Sequence, residues 1–199
     1  CIAGTFMDVA TLDTNVNCKP CPTSRYIDDP GLDEEKHNEE VDCKFCEAGT
    51  TFTSSTTACA ICSAGKYINI TGARAGLACK LCVSGKHSNL IEQTSVDTCK
   101  ECVAGRYMNE KGSGLVECKI CEDGTWTADI AATSCELCET GFFLKDLLKN
   151  VLAYDEKSDC QECAPGLISR PGATYCFNCP SGWEGNHSNH SDTTNPCRA

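Results

Sequence analysis

The sequence predicts a small disulfide-rich fold, made mostly of short β-hairpins, in which about ten cysteine-rich modules form an elongated linear array with little helix. Three observations support this fold class. Cysteine contributes 20 of the 199 residues. Leu, Ile, Val and Phe together contribute 35 residues, which is too few for an ordinary hydrophobic core. The cysteines recur at similar intervals, and a chain so poor in core residues needs cross-links to fold.

The cysteines define a repeat. Nine Cys-x-x-Cys pairs are present, and only the first and last cysteines stand alone. In eight of these pairs a glycine lies three residues after the second cysteine, and an aromatic residue commonly follows two residues later. A fixed period of this kind is typical of linear arrays, in which each unit is expected to stack only on its neighbours. The cysteines are Cys1, Cys18, Cys21, Cys43, Cys46, Cys59, Cys62, Cys79, Cys82, Cys99, Cys102, Cys118, Cys121, Cys135, Cys138, Cys160, Cys163, Cys176, Cys179 and Cys197.

The second cysteine of each pair marks the start of a predicted module. The glycine predicts a tight turn with positive φ, and Ser24 replaces it in one module. We expect the aromatic residue to cover the disulfide and to form most of each small core. The predicted modules 1 to 10 are 1–20, 21–45 with a long acidic loop, 46–61, 62–81, 82–101, 102–120, 121–137, 138–162 with an apolar insertion of near-helical spacing, 163–178 and 179–199.

The favoured disulfide pairing joins the second cysteine of one pair to the first cysteine of the next. This order closes ten bonds within the chain, each worth roughly 3 kcal/mol in the chain-entropy account. The pairs are 1–18, 21–43, 46–59, 62–79, 82–99, 102–118, 121–135, 138–160, 163–176 and 179–197. An interleaved order, first with third and second with fourth, stays open because sequence alone does not fix connectivity.

Zinc is the alternative to disulfides, because Cys-x-x-Cys pairs at this spacing also suit a Cys₄ zinc site. Asn69, Asn186 and Asn189 each begin an N-glycosylation sequon, which matters only in a secreted protein. The net charge of −11 disfavours nucleic acid, the usual ligand of such zinc modules. The sequence therefore favours disulfides and an extracellular or cell-surface location.

A family resemblance rests on the string Cys-x-x-Cys-x-x-Gly-x-Tyr, present at Cys59–Tyr67 and Cys99–Tyr107. This string resembles the ephrin-receptor-like and growth-factor-receptor cysteine-rich repeats, and it is similar to the single-disulfide modules of tumour necrosis factor receptors. Similar repeats occur in protist surface antigens and in the fibrous proteins of flagellar hairs (mastigonemes). The resemblance covers the whole chain and implies an extracellular rod of small β modules without catalytic activity. It does not imply a particular ligand.

The long loop of module 2 is acidic. Between Cys21 and Cys43 lie eight Asp and Glu residues within 28–42. Several carboxylates suit calcium, but the stretch lacks the spaced order of an EF-hand loop, and Asp28-Asp29-Pro30-Gly31 is typical of a turn. We expect a solvated acidic loop and no cofactor, with calcium as the open alternative.

The long loop of module 8 is apolar. Its apolar residues fall close to helical spacing, which predicts a short helix. Such a helix either folds back on its own and adjacent modules or contacts another copy or partner, because exposed apolar patches usually mark interfaces. The candidate interface residues are Phe142, Phe143, Leu147, Leu148, Val151, Leu152 and Tyr154.

The sequence predicts no enzyme. The four histidines form no metal-binding helix motif, and there is no nucleophile elbow, phosphate loop or dinucleotide fingerprint. No run approaches the roughly 18 apolar residues of a membrane span. The Ser/Thr string at 50–57 is a candidate for O-linked glycan beside the N-linked sites.

The two ends of the sequence suggest assembly. Placing Ala199 before Cys1 gives Cys-Arg-Ala-Cys-Ile-Ala-Gly-Thr-Phe, which is a complete repeat junction. We therefore expect one period of a longer tandem array, or copies that meet head to tail, unless both ends fall at module edges by chance. The predicted function is an extracellular structural glycoprotein of a filament, stalk or surface coat. In it, disulfides resist unfolding and two-residue linkers limit bending. The alternatives are a ligand-binding or adhesion ectodomain and a zinc-binding Cys₄ array.

Overall fold

The computed structural model of the chain describes residues 1–7, 17–31, 33–70, 77–179, 181–182, 184–185 and 197–198. Within these ranges every strand belongs to a two-stranded antiparallel hairpin, and each module contributes one hairpin. The helical residues of the same ranges form only single turns of 3-10 helix. These features confirm the predicted class, a small disulfide-rich array of short β-hairpins with almost no helix.

Each hairpin joins the beginning of a module to its end. In chain order, β1 (Thr5–Met7) pairs with β2 (Cys18–Pro20), β3 (Arg25–Tyr26) with β4 (Lys44–Phe45), β5 (Thr50–Thr51) with β6 (Ala60–Ile61), β7 (Lys66–Tyr67) with β8 (Lys80–Leu81), β9 (Lys86–His87) with β10 (Lys100–Glu101), β11 (Arg106–Tyr107) with β12 (Lys119–Ile120), β13 (Thr125–Trp126) with β14 (Glu136–Leu137), β15 (Phe142–Phe143) with β16 (Gln161–Glu162), β17 (Leu167–Ile168) with β18 (Phe177–Asn178), and β19 (Glu184–Gly185) with β20 (Cys197–Arg198). The 3-10 turns are Glu34–Lys36, Glu40–Asp42, Val96–Thr98, Val151–Ala153 and Lys157–Asp159.

The chain forms two compact units. The first contains Cys1–Cys82, Ser88–Cys99 and Gly112–Leu115, and the second contains Val83–His87, Lys100–Lys111 and Val116–Ala199. Modules 5 and 6 therefore contribute residues to both units. The same local contacts recur inside each unit.

The core of a module centres on the residue six positions after its opening cysteine, which we call the joint residue. In module 4, which lies in the first unit, Ile68 is buried against the disulfide cysteines Cys62 and Cys79. The aromatic residue one position earlier, Tyr67, is only half-buried. Successive strand residues point to opposite faces, so only one of the two can face the disulfide. The buried joint residues are Ile27, Ile68, Ser88, Met108, Thr127, Leu144 and Ser169.

The aromatic residue was therefore the wrong choice for the main core position of most modules. Tyr26, Tyr67, Tyr107 and Trp126 lie half-buried on the other side of their strands. In module 1 the aromatic Phe6 is buried, and in modules 5 and 9 His87 and Ile168, which stand at the same position, are buried as well. The sequence does not indicate which of the two neighbouring residues is buried, because the joint position is occupied by Ser and Thr as well as by Ile, Met and Leu.

The backbone of six joint residues links three modules, and these are Ile27, Ile68, Ser88, Met108, Thr127 and Leu144. In the first unit, the Ile68 N–H donates to the carbonyl of Gln93 at 3.0 Å, and the Ile68 carbonyl accepts from the N–H of Gly49 at 2.9 Å. In the second unit, Met108 bonds in the same way to Ala132 at 3.0 Å and to Gly85 at 2.8 Å. These bonds join each module to the one before it and the one after it.

Candidate assembly surface and disulfide framework

Nine disulfides close the described modules. The Cα atoms of each pair lie 5.5 to 5.9 Å apart, within the usual range for disulfides. The bonds are Cys1–Cys18, Cys21–Cys43, Cys46–Cys59, Cys62–Cys79, Cys82–Cys99, Cys102–Cys118, Cys121–Cys135, Cys138–Cys160 and Cys163–Cys176. Cys179 is also disulfide-bonded, and the side chain of Cys197 lies outside the described residues.

The bonds run from the second cysteine of one pair to the first cysteine of the next, not in the interleaved order. Oxidised sulfur cannot serve as a thiolate ligand, so the zinc alternative does not apply to these nine pairs. Among the described residues, no group of three or more His, Cys, Asp or Glu side chains is close enough to hold a metal ion. The opening cysteines Cys62, Cys82, Cys102 and Cys138 are almost fully buried.

The residue three positions after each opening cysteine, here called the turn residue, has positive φ in every described module. In the first unit, a Cβ atom on Gly65 would collide with the backbone carbonyl of Gly112, which lies two modules further along the chain. In the second unit, a Cβ atom on Gly85 would collide with the carbonyl of Ala131 in the same way. Glycine is therefore required at these two turns both for conformation and for close approach.

These contacts correct one expectation. Repeat units were expected to stack only on their neighbours, but the loop of a module also covers the turn residue two modules earlier. The pairs of turn residue and covering residue in the first unit are Gly4 with Thr56, Gly49 with Glu92, and Gly65 with Gly112. In the second unit they are Gly85 with Ala131, Gly105 with Val151, and Gly124 with Gly172. A loop that projects beyond its own hairpin makes this contact possible, and cysteine spacing does not reveal it.

The turn residues differ in exposure. Those of modules 1 to 7 are buried, including Ser24, which takes the place of glycine in module 2. Gly141 is half-buried, whereas Gly166 and Gly182 are exposed. No described residue comes within 4 Å of a Cβ atom built on Gly166. The same holds for Gly141 and Gly182, so within the described residues the contact across two modules is seen only up to module 7.

The apolar loop of module 8 is not a helix, which makes the predicted helical insertion wrong. Phe142–Phe143 is strand β15, and the only helical residues of the loop's apolar stretch are the 3-10 turn Val151–Ala153. The carboxylate of Asp146 accepts hydrogen bonds from the N–H groups of Leu148 at 3.0 Å and Asn150 at 2.7 Å. Side-chain bonds to nearby backbone of this kind compete with a helix and favour turns.

The apolar residues of this loop divide into two groups. Tyr154 is fully buried and packs with the two cysteines of its module and with Leu144. Phe142, Phe143 and Val151 are half-buried. The exposed group is Leu147, Leu148 and Leu152, whose exposed fractions are 84%, 87% and 67%. We call these three residues the leucine surface.

The leucine surface is held in place by a polar anchor. The Tyr154 hydroxyl donates to Asp123 Oδ1 at 2.6 Å, and Lys149 Nζ lies 2.9 Å from the same oxygen. The hydrogen bond from Tyr154 is the main reason that the pKa of Asp123 lies below its usual value. Burial raises the pKa of Tyr154, and the hydrogen bond to Asp123 raises the pKa of Lys149. At neutral pH the anchor therefore holds a carboxylate, an ammonium group and a neutral phenol.

The acidic loop of module 2 has a comparable anchor. His37 is 2% exposed, and its Nδ1 lies 2.9 Å from the carbonyl oxygen of Thr5. Its Nε2 lies 3.2 Å from Asp29 Oδ1. Lys36 Nζ is 3.1 Å from Asp33 Oδ2 and 3.9 Å from Asp29 Oδ2. Several carboxylates of the loop thus bind side chains and backbone of the loop itself. No contact among the described residues supports the alternative of a calcium site.

The glycan sites are only partly within the described residues. Asn69 is exposed, whereas Thr71 of its sequon and the sites Asn186 and Asn189 lie outside those residues. In the Ser/Thr string, the Ser54 hydroxyl lies 2.7 Å from the Thr57 hydroxyl, on the surface. No helix in the described residues is long and apolar enough to cross a membrane.

Comparison with known proteins gives one weak similarity. No family model matches the chain. The chain is 28% identical over 145 residues to the mouse protein "Signal peptide, CUB and EGF-like domain-containing protein 2". This alignment covers 73% of the chain but 14% of the mouse protein. The narrower resemblance to ephrin-receptor-like or tumour necrosis factor receptor repeats stays a prediction. The chain is thus a disulfide-rich hairpin array similar to a short part of an EGF-like domain-containing protein.

Proposed function

We propose that the chain is part of an extracellular structural glycoprotein, a disulfide-stapled array that assembles head to tail into a filament, stalk or surface coat. Copies of the chain or adjacent repeats are its partners, and Asn69, Asn186 and Asn189 carry N-linked glycans. The Ser/Thr string at 50–57 is the proposed site of O-linked glycan. The absence of catalytic activity, of a cofactor and of a nucleic-acid partner remains part of this proposal.

The observation that carries the proposal is the repeated backbone bonding of six joint residues. Ile68 and Met108 each bond to a preceding and a following module through their backbone groups. A buried N–H or carbonyl without a partner costs about 1 to 3 kcal/mol, so a module of this type is most stable inside a longer array. This is the behaviour of a repeat protein whose modules support one another.

An extracellular setting is supported by two further observations. Disulfides persist in oxidising compartments, and nine are present in the described residues. The name of the similar mouse protein includes a signal peptide, although the chain spans only 14% of that protein's length. We extend that setting to this chain as part of the proposal.

The disulfides give such an array a short covalent path under tension. Pulling force passes through each disulfide and then through the Cys-x-x-Cys residues, so the loop is bypassed. With Cα atoms 5.7 Å apart across the bond, one stretched module spans about 17 Å. A module of average length, about 20 residues, extends to about 70 Å without its disulfide. A fibre of these modules therefore resists lengthening even when its hairpins open.

A receptor or adhesion ectodomain is the second candidate. The leucine surface favours it, because Leu147 and Leu148 are strongly exposed on a loop that Asp146 holds in a fixed shape. Preorganised apolar groups of this kind are typical of binding sites for another protein. This function requires no assembly between copies.

Electron microscopy of native material that contains the chain tests the proposal. A structural array predicts continuous fibres or a surface layer with hairpin modules repeating along the fibre axis. Separate rods that end at a membrane or bind a soluble partner would overturn the structural function and favour the receptor. Single-molecule stretching gives an independent check, since reductant is expected to increase the extension per module about fourfold.

A further inference from the structure

A groove with a volume of about 300 Å³ lies between the hairpins of modules 5 and 6, within the second unit. Residues 87, 100–103, 106 and 116–118 line it, and both modules are described without a gap. Two of its residues, Val103 and Val116, are 56% and 71% exposed. We call this feature the module 5–6 groove. Its exposed valines offer an apolar surface to a partner.

The module 5–6 groove also presents one cation without a counter-charge among the described residues. Arg106 pairs with Glu117 at 2.8 Å. Glu101, the other acidic residue of the groove, pairs with Lys86 at 3.0 Å. Lys100 is exposed and makes no ion pair with the described part of the chain. An apolar surface beside such an ammonium group fits a partner that joins an apolar side chain to a carboxylate.

The loop of module 2 presents this combination of side chains. In its 3-10 turn Glu40–Asp42, Val41 is 72% exposed. The side chain of Glu40, which lies 3.6 Å from Arg25, is 58% exposed. Glu39 and Asp42 form a capping box around the turn, so little conformational freedom remains to be lost on binding. We call residues 39–42 the valine turn.

The distribution of charge favours a second copy of the chain as the source of this partner. Residues 62–120, which contain the groove, have eight Lys and Arg against five Asp and Glu, a net charge of +3. The rest of the chain carries −14. Module 2 has eight Asp and Glu against three Lys and Arg, which gives −5. Two copies therefore bring surfaces of opposite charge together when module 2 of one meets the groove of the other.

We infer that the valine turn of one copy docks in the module 5–6 groove of a second copy. Val41 packs on the two valines of the groove, and Glu40 lies beside Lys100. The inference rests on the proposed assembly from copies and names a contact surface for it. Because the two surfaces differ, the contact is heterologous. It leaves a free groove on one copy and a free valine turn on the other, from which assembly continues.

Two charge reversals that the repeat itself tolerates test this contact. Lys100→Glu introduces the residue type that module 7 has at the equivalent hairpin position, Glu136. Glu40→Lys introduces the residue type that module 8 has at the equivalent position of its capping box, Lys157. Both variants are therefore expected to fold. Hydrogen exchange of the amides in modules 2 and 5 measures whether they do.

The measurement is sedimentation velocity of the disulfide-bonded chain from roughly 10 to 500 μM, because a contact of one turn is expected to be weak. Lys100→Glu and Glu40→Lys each place like charges opposite one another, and we expect about tenfold weaker self-association. Lys111→Glu makes the same change of charge at an exposed lysine outside the groove, and we expect no effect. An equal effect of Lys111→Glu would assign the change to net charge and overturn the docking site.

A mixture of the two variants tests whether the residues meet between copies. Each variant alone opposes like charges, whereas every contact between Lys100→Glu and Glu40→Lys chains pairs opposite charges. The mixture should therefore associate about tenfold more tightly than either variant alone. Absence of this recovery, or unchanged association of folded Lys100→Glu, would overturn the docking site but leave assembly through another surface intact. A wild-type chain that stays monomeric throughout would overturn both this inference and assembly from copies.

Discussion

Modules 2 and 8 have long loops of opposite composition, one acidic and one apolar, yet they fold around the same kind of anchor. Both disulfides join cysteines 22 positions apart. In each loop a ring residue six positions before the closing cysteine is buried, His37 in module 2 and Tyr154 in module 8. Each ring bonds to an aspartate that also lies near a lysine.

The backbone confirms that the two rings occupy equivalent places. The Met7 N–H donates to the carbonyl of His37 at 2.6 Å, and the Thr127 N–H donates to the carbonyl of Tyr154 at 2.9 Å. Both donors lie six positions after the opening cysteine of the preceding module. Loop composition thus determines the exposed surface of these two modules, whereas the same place inside each loop is filled by a buried polar ring.

The largest expected effect comes from removing the Tyr154 ring. Tyr154→Ala leaves a cavity and deprives Asp123 of its hydroxyl donor, so we expect the module to lose about 3 to 5 kcal/mol of local stability. Hydrogen exchange of the Thr127 amide, which bonds to the Tyr154 carbonyl, measures this loss. Leu148→Ala, a change on the leucine surface, is expected to stay within about 0.5 kcal/mol. Similar exchange in both variants would contradict the anchor role.

Removing the His37 ring should have a smaller effect of the same kind. His37→Ala leaves the Thr5 carbonyl and the Asp29 carboxylate without this partner, for which we expect a loss of about 1 to 3 kcal/mol. The Met7 amide reports the change by hydrogen exchange. Lys36→Ala alters the adjacent exposed residue and should cost less than about 1 kcal/mol. An effect of Lys36→Ala equal to that of His37→Ala would assign the stability to loop charge instead.

Equivalent substitutions in the capping boxes of the two loops should cost equal stability. Both end in a 3-10 turn with a capping box, in which Asp42 accepts from the N–H of Glu39 and Asp159 accepts from the N–H of Glu156, each at 3.0 Å. Asp42→Ala and Asp159→Ala are each expected to cost about 1 kcal/mol. Hydrogen exchange of the Cys43 and Cys160 amides measures both. Clearly unequal losses would break the equivalence of the two modules.

The smallest expected effect appears only in acid. The folded-state pKa of Asp123 is lowered from 3.8, mainly by the Tyr154 hydrogen bond, so its contribution is present above pH 3.8 and is lost as the pH falls through the lowered value. Between pH 5 and 2, the protection factor of the Thr127 amide, which corrects for the intrinsic exchange rate at each pH, should therefore fall more in the wild-type chain than in Asp123→Asn. Identical pH profiles would show that the charge of Asp123 adds no stability.

The sequence predicts the framework of hairpins and disulfides better than it predicts the buried rings that anchor the long loops. Cysteine spacing indicates the hairpin class because each second strand lies between two cysteines, as Lys80–Leu81 does. The joint residues were missed because Ser88 and Thr127 are polar and show no apolar signal. The shared anchor has a signal that the opposite compositions conceal: in both loops the ring residue is followed by x-Glu-x-x-Asp-Cys, at His37–Cys43 and Tyr154–Cys160. Contacts across two modules, such as Gly65 with Gly112, depend on loop path and leave no local pattern.

The disulfides also determine whether a proteolytic cut separates the chain into fragments. A cut anywhere in the loop between Cys138 and Cys160 leaves both fragments joined by that bond. Between Cys1 and Cys179, the part closed by the nine described disulfides, only cleavage inside a Cys-x-x-Cys pair would divide the chain. From β4 to β18 those residues lie in paired strands between neighbouring disulfides. Nicks therefore collect in the loops without shortening the molecule. Such a chain stays full-length on a non-reducing gel and falls apart into fragments only after reduction.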